Sequence, residues 1–305
     1  MMLINFLATL WRFGRPHTII GSIVSIITLW MLALRGNGYV GNYGLLIGTL
    51  IVGIACNIFI VGLNQIIDIE VDKINKPKLP LADGSLKLSS AYNIVWVSLT
   101  LTLLLGFYIS FILGCLILLI CLIGVAYSVP PIQLKKHHLP AALAITLVRG
   151  LLVNFGMFLH FTFTSRQQKI YNVNAIFSEN FPAELLALTG FVLAFSIAIA
   201  WFKDLPDVVG DKVFKIKTFA LLYSPKLAFR SGLVLVSIAY IATIIWAFYA
   251  ENIFLLICHL IASLTFVVQA LKVDLSKPDT VSQFYMIFWI FFFAEYLFFA
   301  SWCLI

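Results

Sequence analysis

The chain has 305 residues, 62% of them hydrophobic and only 11% charged, with a formal net charge of +7 and a mean hydropathy of +1.04. A soluble domain cannot cover that much apolar surface, so the composition excludes a soluble enzyme and points to membrane-spanning helices. It also excludes an outer-membrane barrel, whose strands alternate in polarity, because these apolar runs are continuous.

In chain order, MMLINFLATLWRFGRPHT (1–18) has a broken apolar run and no small-residue cleavage site. It reads neither as a cleavable leader nor as a Ser- and Arg-rich transit segment, and the first span is expected to be retained. Nine spans follow, at roughly 16–34, 44–63, 92–109, 111–128, 141–160, 183–201, 229–249, 253–271 and 281–304, with Gly106 and Ser110 marking the turn between the third and fourth. The expected fold is an all-α polytopic membrane protein forming one domain over residues 1–305. Two four-helix pseudo-repeats (16–128 and 141–271) would surround a central cavity, with a ninth helix added.

Cys56, Cys115, Cys121, Cys258 and Cys303 all fall inside spans without metal-ligand spacing, and read as packing residues. His160, His259 and the pair His137–His138 read as structural or interfacial. Glu295, inside the last span, needs a partner that the sequence does not name. Most of the 27 phenylalanines are expected to face lipid; the last span, with FWIFFFAEYLFF, either does the same or lines a lateral opening.

With nine spans, alternate loops share a side. Only Arg35, Arg166 and Lys169 fall opposite the N-terminus, Arg149 and Arg230 lie inside spans, and the rest of the 20 Lys and Arg share the N-terminal side. The positive-inside rule places that side in the cytoplasm or a plastid stroma. The +7 is mostly this topology signal; no basic patch interleaved with aromatics lies outside the membrane, so nucleic acid is not an expected partner.

Most of the acids share that side as well, and topology does not require them. DIEVDKINK starts at Asp68 after span 2, and DVVGDKVFK starts at Asp207 after span 6; both fit D-x-x-x-D-K-x-x-K. Residues four apart share a helix face, so Asn64, Asp68 and Asp72 form one stripe. Asp207 and Asp211 form another, with Asp204 one turn before. One such motif is usually a solvated helix end. Two copies in register on one side of a greasy chain point instead to a site for Mg²⁺ and a diphosphate. Lys73 and Lys212 would pair with phosphate oxygens, and so would Lys135, in a loop stiffened by Pro130, Pro131 and Pro140. Each of the three lysines has an alternative reading as a topology signal. Arg149, well inside span 5, is costly there and is expected to face the cavity and meet an anion; the alternative is a structural ion pair.

The stretches RFGRPHTIIGS (12–22), GLNQIIDIEVDKINKPKLPLADG (62–84), AYSVPPIQLK (126–135), VRGLLVNFG (148–156) and FKDLPDVVGDK (202–212) resemble the UbiA superfamily of intramembrane aromatic prenyltransferases, in particular its homogentisate branch. The resemblance runs nearly end to end. It implies Mg²⁺-dependent transfer of a phytyl group from phytyl diphosphate to homogentisate, with decarboxylation, in a cyanobacterial or plastid membrane. Asp68, Asp72, Asp207 and Asp211 would hold metal, with Asp204 supplementing them and Asn64 orienting ligands. Arg15 and His17 would shape the acceptor site or anchor the interface. Solanesyl or geranylgeranyl transfer and chlorophyll synthesis stay open as enzyme alternatives. A transporter is the rival from another class, although its ion site would sit nearer mid-membrane.

Overall fold

The computed structural model describes residues 2–37, 41–166 and 180–305, which are helical apart from loops and one isolated bridge between His137 and Lys217. Among the described residues, nine helices are long and apolar enough to cross a membrane. These are span 1 (Pro16–Arg35), span 2 (Tyr43–Ile67), span 3 (Leu88–Ile109), span 4 (Phe111–Ser128), span 5 (His138–Ser165), span 6 (Ala183–Lys203), span 7 (Pro225–Tyr249), span 8 (Ile253–Leu271) and span 9 (Pro278–Trp302). The chain is a multi-pass integral membrane protein, and the nine expected spans are found with ends shifted by a few residues. Lys169, counted with the opposite-side charges, lies outside the described residues.

Local chemistry sets several span ends. Ser110 is extended at φ −161° and its hydroxyl accepts from Leu113 N, which separates span 3 from span 4. Ser224 caps span 7 in the same way, followed by Pro225 at the first helical position, and Asn252 caps span 8. A helix that the hydropathy pattern did not announce, Met2–Phe13, precedes span 1. It stops at Gly14, and Arg15 adopts a left-handed φ of 53°. Gln65 donates to the Phe13 carbonyl at 2.5 Å and Asn57 to that of Gly14 at 2.9 Å, tying this corner to span 2.

Span 2 packs along span 3, span 6 along span 7, and span 1 against spans 2, 5 and 9. Span 9 turns one face to lipid, with Met286, Ile290 and Leu297 exposed, and its aromatic face inward: Phe284, Phe288, Trp289, Phe292, Tyr296 and Phe299 are buried, with Phe288 stacked on Phe195 at 4.0 Å between centroids. Most of the 27 phenylalanines are likewise inside the bundle. The expectation that they face lipid fails because, in a bundle whose outside is already apolar, aromatic bulk is used to fill space between helices. Glu295 finds its partner in His259, at 3.0 Å and fully buried, which joins span 9 to span 8. His160 bridges Thr49 (3.0 Å) and Ser110 (2.7 Å). At the far side Arg35 stacks on Trp302 at 4.0 Å and donates to its carbonyl, closing span 1 onto span 9.

Candidate active site

Span 2 ends at Ile67. Asp68, at φ −102° and ψ 15°, interrupts the helix, and a short helix Ile69–Asn75 follows. The amides of Asp68, Asp72 and Lys76 still reach back four residues, to Asn64 (3.0 Å), Asp68 (2.7 Å) and Asp72 (2.7 Å). The stripe therefore survives the break and continues to Lys76. Span 6 ends at Lys203, Pro206 sits in the turn, and a second short helix, Val208–Val213, starts after Asp207. Asp211 N again reaches Asp207 O, at 3.0 Å.

The two short helices meet. Asn75 Nδ2 donates to Asp211 Oδ1 at 3.1 Å, and its Oδ1 accepts from Gly210 N at 2.9 Å. Glycine at 210 makes room for this bridge: a Cβ there would overlap the Asn75 side-chain amide and displace it. Lys76 pairs with Asp207 across the same junction. The loop after span 4 makes a short 3₁₀ turn at Leu134–Lys136, held by Lys217 N to Lys136 O and His138 N to Lys217 O, both 2.9 Å. That anchorage delivers Lys135 to Asp68 at 2.6 Å.

Behind this junction lies a cavity of about 310 Å³, running from the loops down between the spans. Asp68, Asp72, Asp207 and Asp211 line it, with Arg15, Lys76, Lys135 and Lys203 among them. Its deeper wall is apolar, with Ile26, Ile117, Ile120 and Met157. Asn64 lines it too and donates to Ser128 Oγ at 3.3 Å.

Burial outweighs the neighbouring cations at several of these carboxylates. Burial, with repulsion from Asp207 second, pushes Asp211 up to about 7. Burial also raises Asp72, against the pull of Arg15 at 3.8 Å, and leaves Asp72 Oδ2 without a hydrogen-bond partner. It raises Asp204 as well, against Lys203 at 2.7 Å. The Lys135 ammonium is lowered by burial despite the attraction of Asp68.

These residues fit Mg²⁺ in one way. Among the described residues no three acids, histidines or cysteines group closely enough to hold a metal alone. Mg²⁺, however, commonly takes one or two carboxylates and fills its remaining positions with water and substrate phosphates. The Asp72 oxygen without a hydrogen bond and the Asp211 carboxylate repelled by Asp207 suit an ion that arrives with a diphosphate.

Two of the expected phosphate-binding lysines stand away from the cavity. Lys73 is exposed and paired with Glu70 at 2.7 Å, and Lys212 is exposed; neither lines the cavity. Each follows its aspartate by one residue, which on a 3.6-residue turn places it about 100° round the helix. Lys76 and Lys203 stand in their place. The i+4 spacing from Asp72 is the signal that could have found Lys76, whereas Lys203 is a span-end lysine like many others. Asp204 is buried against Lys203 but is not among the cavity-lining residues. Arg149 does line the cavity, and it is not the structural ion pair of the alternative reading: among the described residues no acid pairs with it, and its guanidinium lies over Trp289.

Known proteins resemble this chain along its whole length. The profile of the UbiA prenyltransferase family matches residues 24–294. Homogentisate phytyltransferase of Synechocystis sp. is 36% identical over 295 residues, covering 94% of this chain and 92% of that protein. The chloroplastic homogentisate solanesyltransferase of Arabidopsis thaliana is 35% identical over 301 residues, covering 95% and 75%. A UbiA homolog from Archaeoglobus fulgidus, solved bound to GPP and Mg²⁺, shares the fold at a TM-score of 0.64 and 16% identity, over 96% of this chain and 99% of that one.

Proposed function

Because the chain belongs to the UbiA prenyltransferase family, we propose that it transfers a phytyl group from phytyl diphosphate to homogentisate, giving 2-methyl-6-phytyl-1,4-benzoquinol. The observation that carries this reading is the junction of the two short helices, which brings four carboxylates and three lysines to the mouth of one apolar cavity. The Synechocystis relative supports the acceptor and the tail. The Arabidopsis relative supports the same acceptor with a longer tail, which makes solanesyl transfer the competing reading.

Mg²⁺ held by Asp68 and Asp72 and by Asp207 and Asp211 would supply the charge that stabilises departing diphosphate. Lys76, Lys135, Lys203 and Arg15 donate to diphosphate oxygens, and their pairing with aspartates keeps them in place until substrate arrives. Asp204 acts by positioning Lys203, and Asn64, steadied by Ser128, orients the first cluster. The allylic C–O bond breaks at this end. The Ile and Met wall houses the tail and keeps water from the developing cation. A ring carbon of the acceptor then forms the new C–C bond and gives up its proton, and the side-chain carboxylate leaves as CO₂ as its methylene takes up a proton to become methyl. The clustered lysines and arginines support a cytoplasmic or stromal side for the N-terminus and these loops, and the Synechocystis and chloroplastic relatives support a photosynthetic membrane. The two motif copies belong to two four-helix pseudo-repeats, 16–128 and 141–271.

The test is a transfer assay on the purified protein in detergent. Labelled homogentisate is offered phytyl, geranylgeranyl and solanesyl diphosphates, each with Mg²⁺ and with EDTA. The expected result is a phytylated quinol that disappears with EDTA. Preference for another diphosphate would reassign the tail, and no product from any of the three with Mg²⁺ would overturn the reading.

A further inference from the structure

Below the carboxylates the cavity has a second polar region, built differently. Span 5 is not a uniform α-helix: Leu147–Leu152 is a π turn, with wider hydrogen bonding that re-aims its side chains. Arg149 sits in this turn. Gly150 beside it lets span 6 approach so closely that a Cβ would meet the Leu193 Cα at 3.3 Å.

The Arg149 guanidinium carbon lies 4.6 Å from the centroid of one Trp289 ring and 5.8 Å from that of Phe292. His17 packs against Trp289 at 4.9 Å, and Tyr285 and Tyr296 also line the cavity here. Among the described residues, Arg149 has neither an ion pair nor a side-chain hydrogen bond. Trp289 Nε1 is buried and unpartnered. Tyr296 gives its proton to Asn154 Oδ1 at 2.7 Å, which leaves Asn154 Nδ2 spare and buried. Glu295, the acid nearest in sequence to these rings, is already engaged by His259.

Among the described residues Arg149 is thus a cavity-lining donor without an acceptor, and aromatic faces surround it. A guanidinium inside a membrane span without an anion is costly, so the arrangement is built for an anion that comes and goes. The diphosphate already has its own cations at the cavity mouth. What suits the lower region is flat and anionic: ring faces stack on the rings, and a carboxylate takes the planar guanidinium fork in two parallel hydrogen bonds.

We infer that Arg149 and Trp289 form the acceptor subsite, with the guanidinium binding the carboxylate of an aromatic acid. This rests on the prenyl-transfer reading for the identity of the acid, homogentisate, but not for the subsite itself. Arg149 is then the residue that distinguishes an acidic aromatic acceptor from its neutral analogue.

The experiment measures binding of homogentisate and of its carboxamide to the full-length protein with Mg²⁺ and an unreactive prenyl thiodiphosphate. Transfer is assayed in parallel on the same preparations. The wild type should bind the acid about 10- to 100-fold more tightly than the amide, the range set by a charged hydrogen bond. Arg149→Gln should lose that preference while binding the thiodiphosphate within about twofold of wild type, and Arg149→Lys should restore part of it. Equal binding of acid and amide by the wild type would overturn the inference without any variant having to fold. So would an acid preference that persists in Arg149→Gln. An Arg149-dependent preference without any transfer would leave the subsite standing and remove homogentisate prenyl transfer as its purpose.

Discussion

The two copies of D-x-x-x-D-K-x-x-K have the same spacing and opposite habits. In the first, the closing lysine, Lys76, turns into the cavity and pairs with Asp207 of the second copy, and Asn75 reaches across to Asp211 and Gly210. In the second, the matching lysine, Lys215, is exposed at a left-handed φ of 54°, because the short helix stops at Val213. Asp68 takes its cation from a third loop through Lys135. The repeat thus supplies carboxylates twice, while the cations between them come unequally: one copy donates, and the other provides the glycine that makes room.

Seven substitutions probe this asymmetry. The largest effect belongs to the shared element: Asp72→Ala and Asp211→Ala should each lower kcat for prenyl transfer by at least about 10²-fold with folding intact, the scale of a lost electrostatic stabiliser. Near-normal turnover with normal detergent-size-exclusion behaviour would show that the carboxylates are ordinary loop acids. Next comes the donating lysine. Lys76→Met should raise KM for the prenyl diphosphate by about 10-fold, from one lost charged hydrogen bond, whereas Lys215→Met should stay within about twofold. Equal effects would erase the asymmetry. Gly210→Ala displaces the Asn75 amide and forfeits two hydrogen bonds of roughly 1 kcal/mol each. It should raise the half-saturating Mg²⁺ concentration several-fold and lower the thermal midpoint by a few degrees. Smallest of all, Lys73→Met and Lys212→Met should leave both Michaelis constants within about twofold, since neither side chain lines the cavity.

Much of the scaffold is legible in the sequence because it depends on local composition. Long apolar runs give the nine spans, and Ser110 marks a break that hydropathy alone blurs. The four cavity aspartates are legible for a different reason, since repetition lifts them above the background of solvated helix ends. What escapes is information that lies between segments. The i+4 spacing from Asp72 favours Lys76 over Lys73, but that Lys76 meets Asp207 is decided by how the two short helices pack. The Asn75–Gly210 bridge joins positions with no shared sequence signal. Glu295 announces a need, but its partner His259 is chosen by the packing of span 8 on span 9. The helix Met2–Phe13 is missed because its apolar run is broken by polar residues, which marks an amphipathic segment rather than a span.

The central claim is that neither copy holds metal by itself and that metal and diphosphate complete the site together. Mn²⁺, standing in for Mg²⁺, can be titrated into the purified protein and followed by electron paramagnetic resonance, with and without an unreactive prenyl thiodiphosphate. Weak Mn²⁺ binding is expected for the protein alone, tight binding once the thiodiphosphate is present, and loss of that gain in both Asp72→Asn and Asp211→Asn. Tight binding without the diphosphate analogue, or a gain that survives both substitutions, would contradict it.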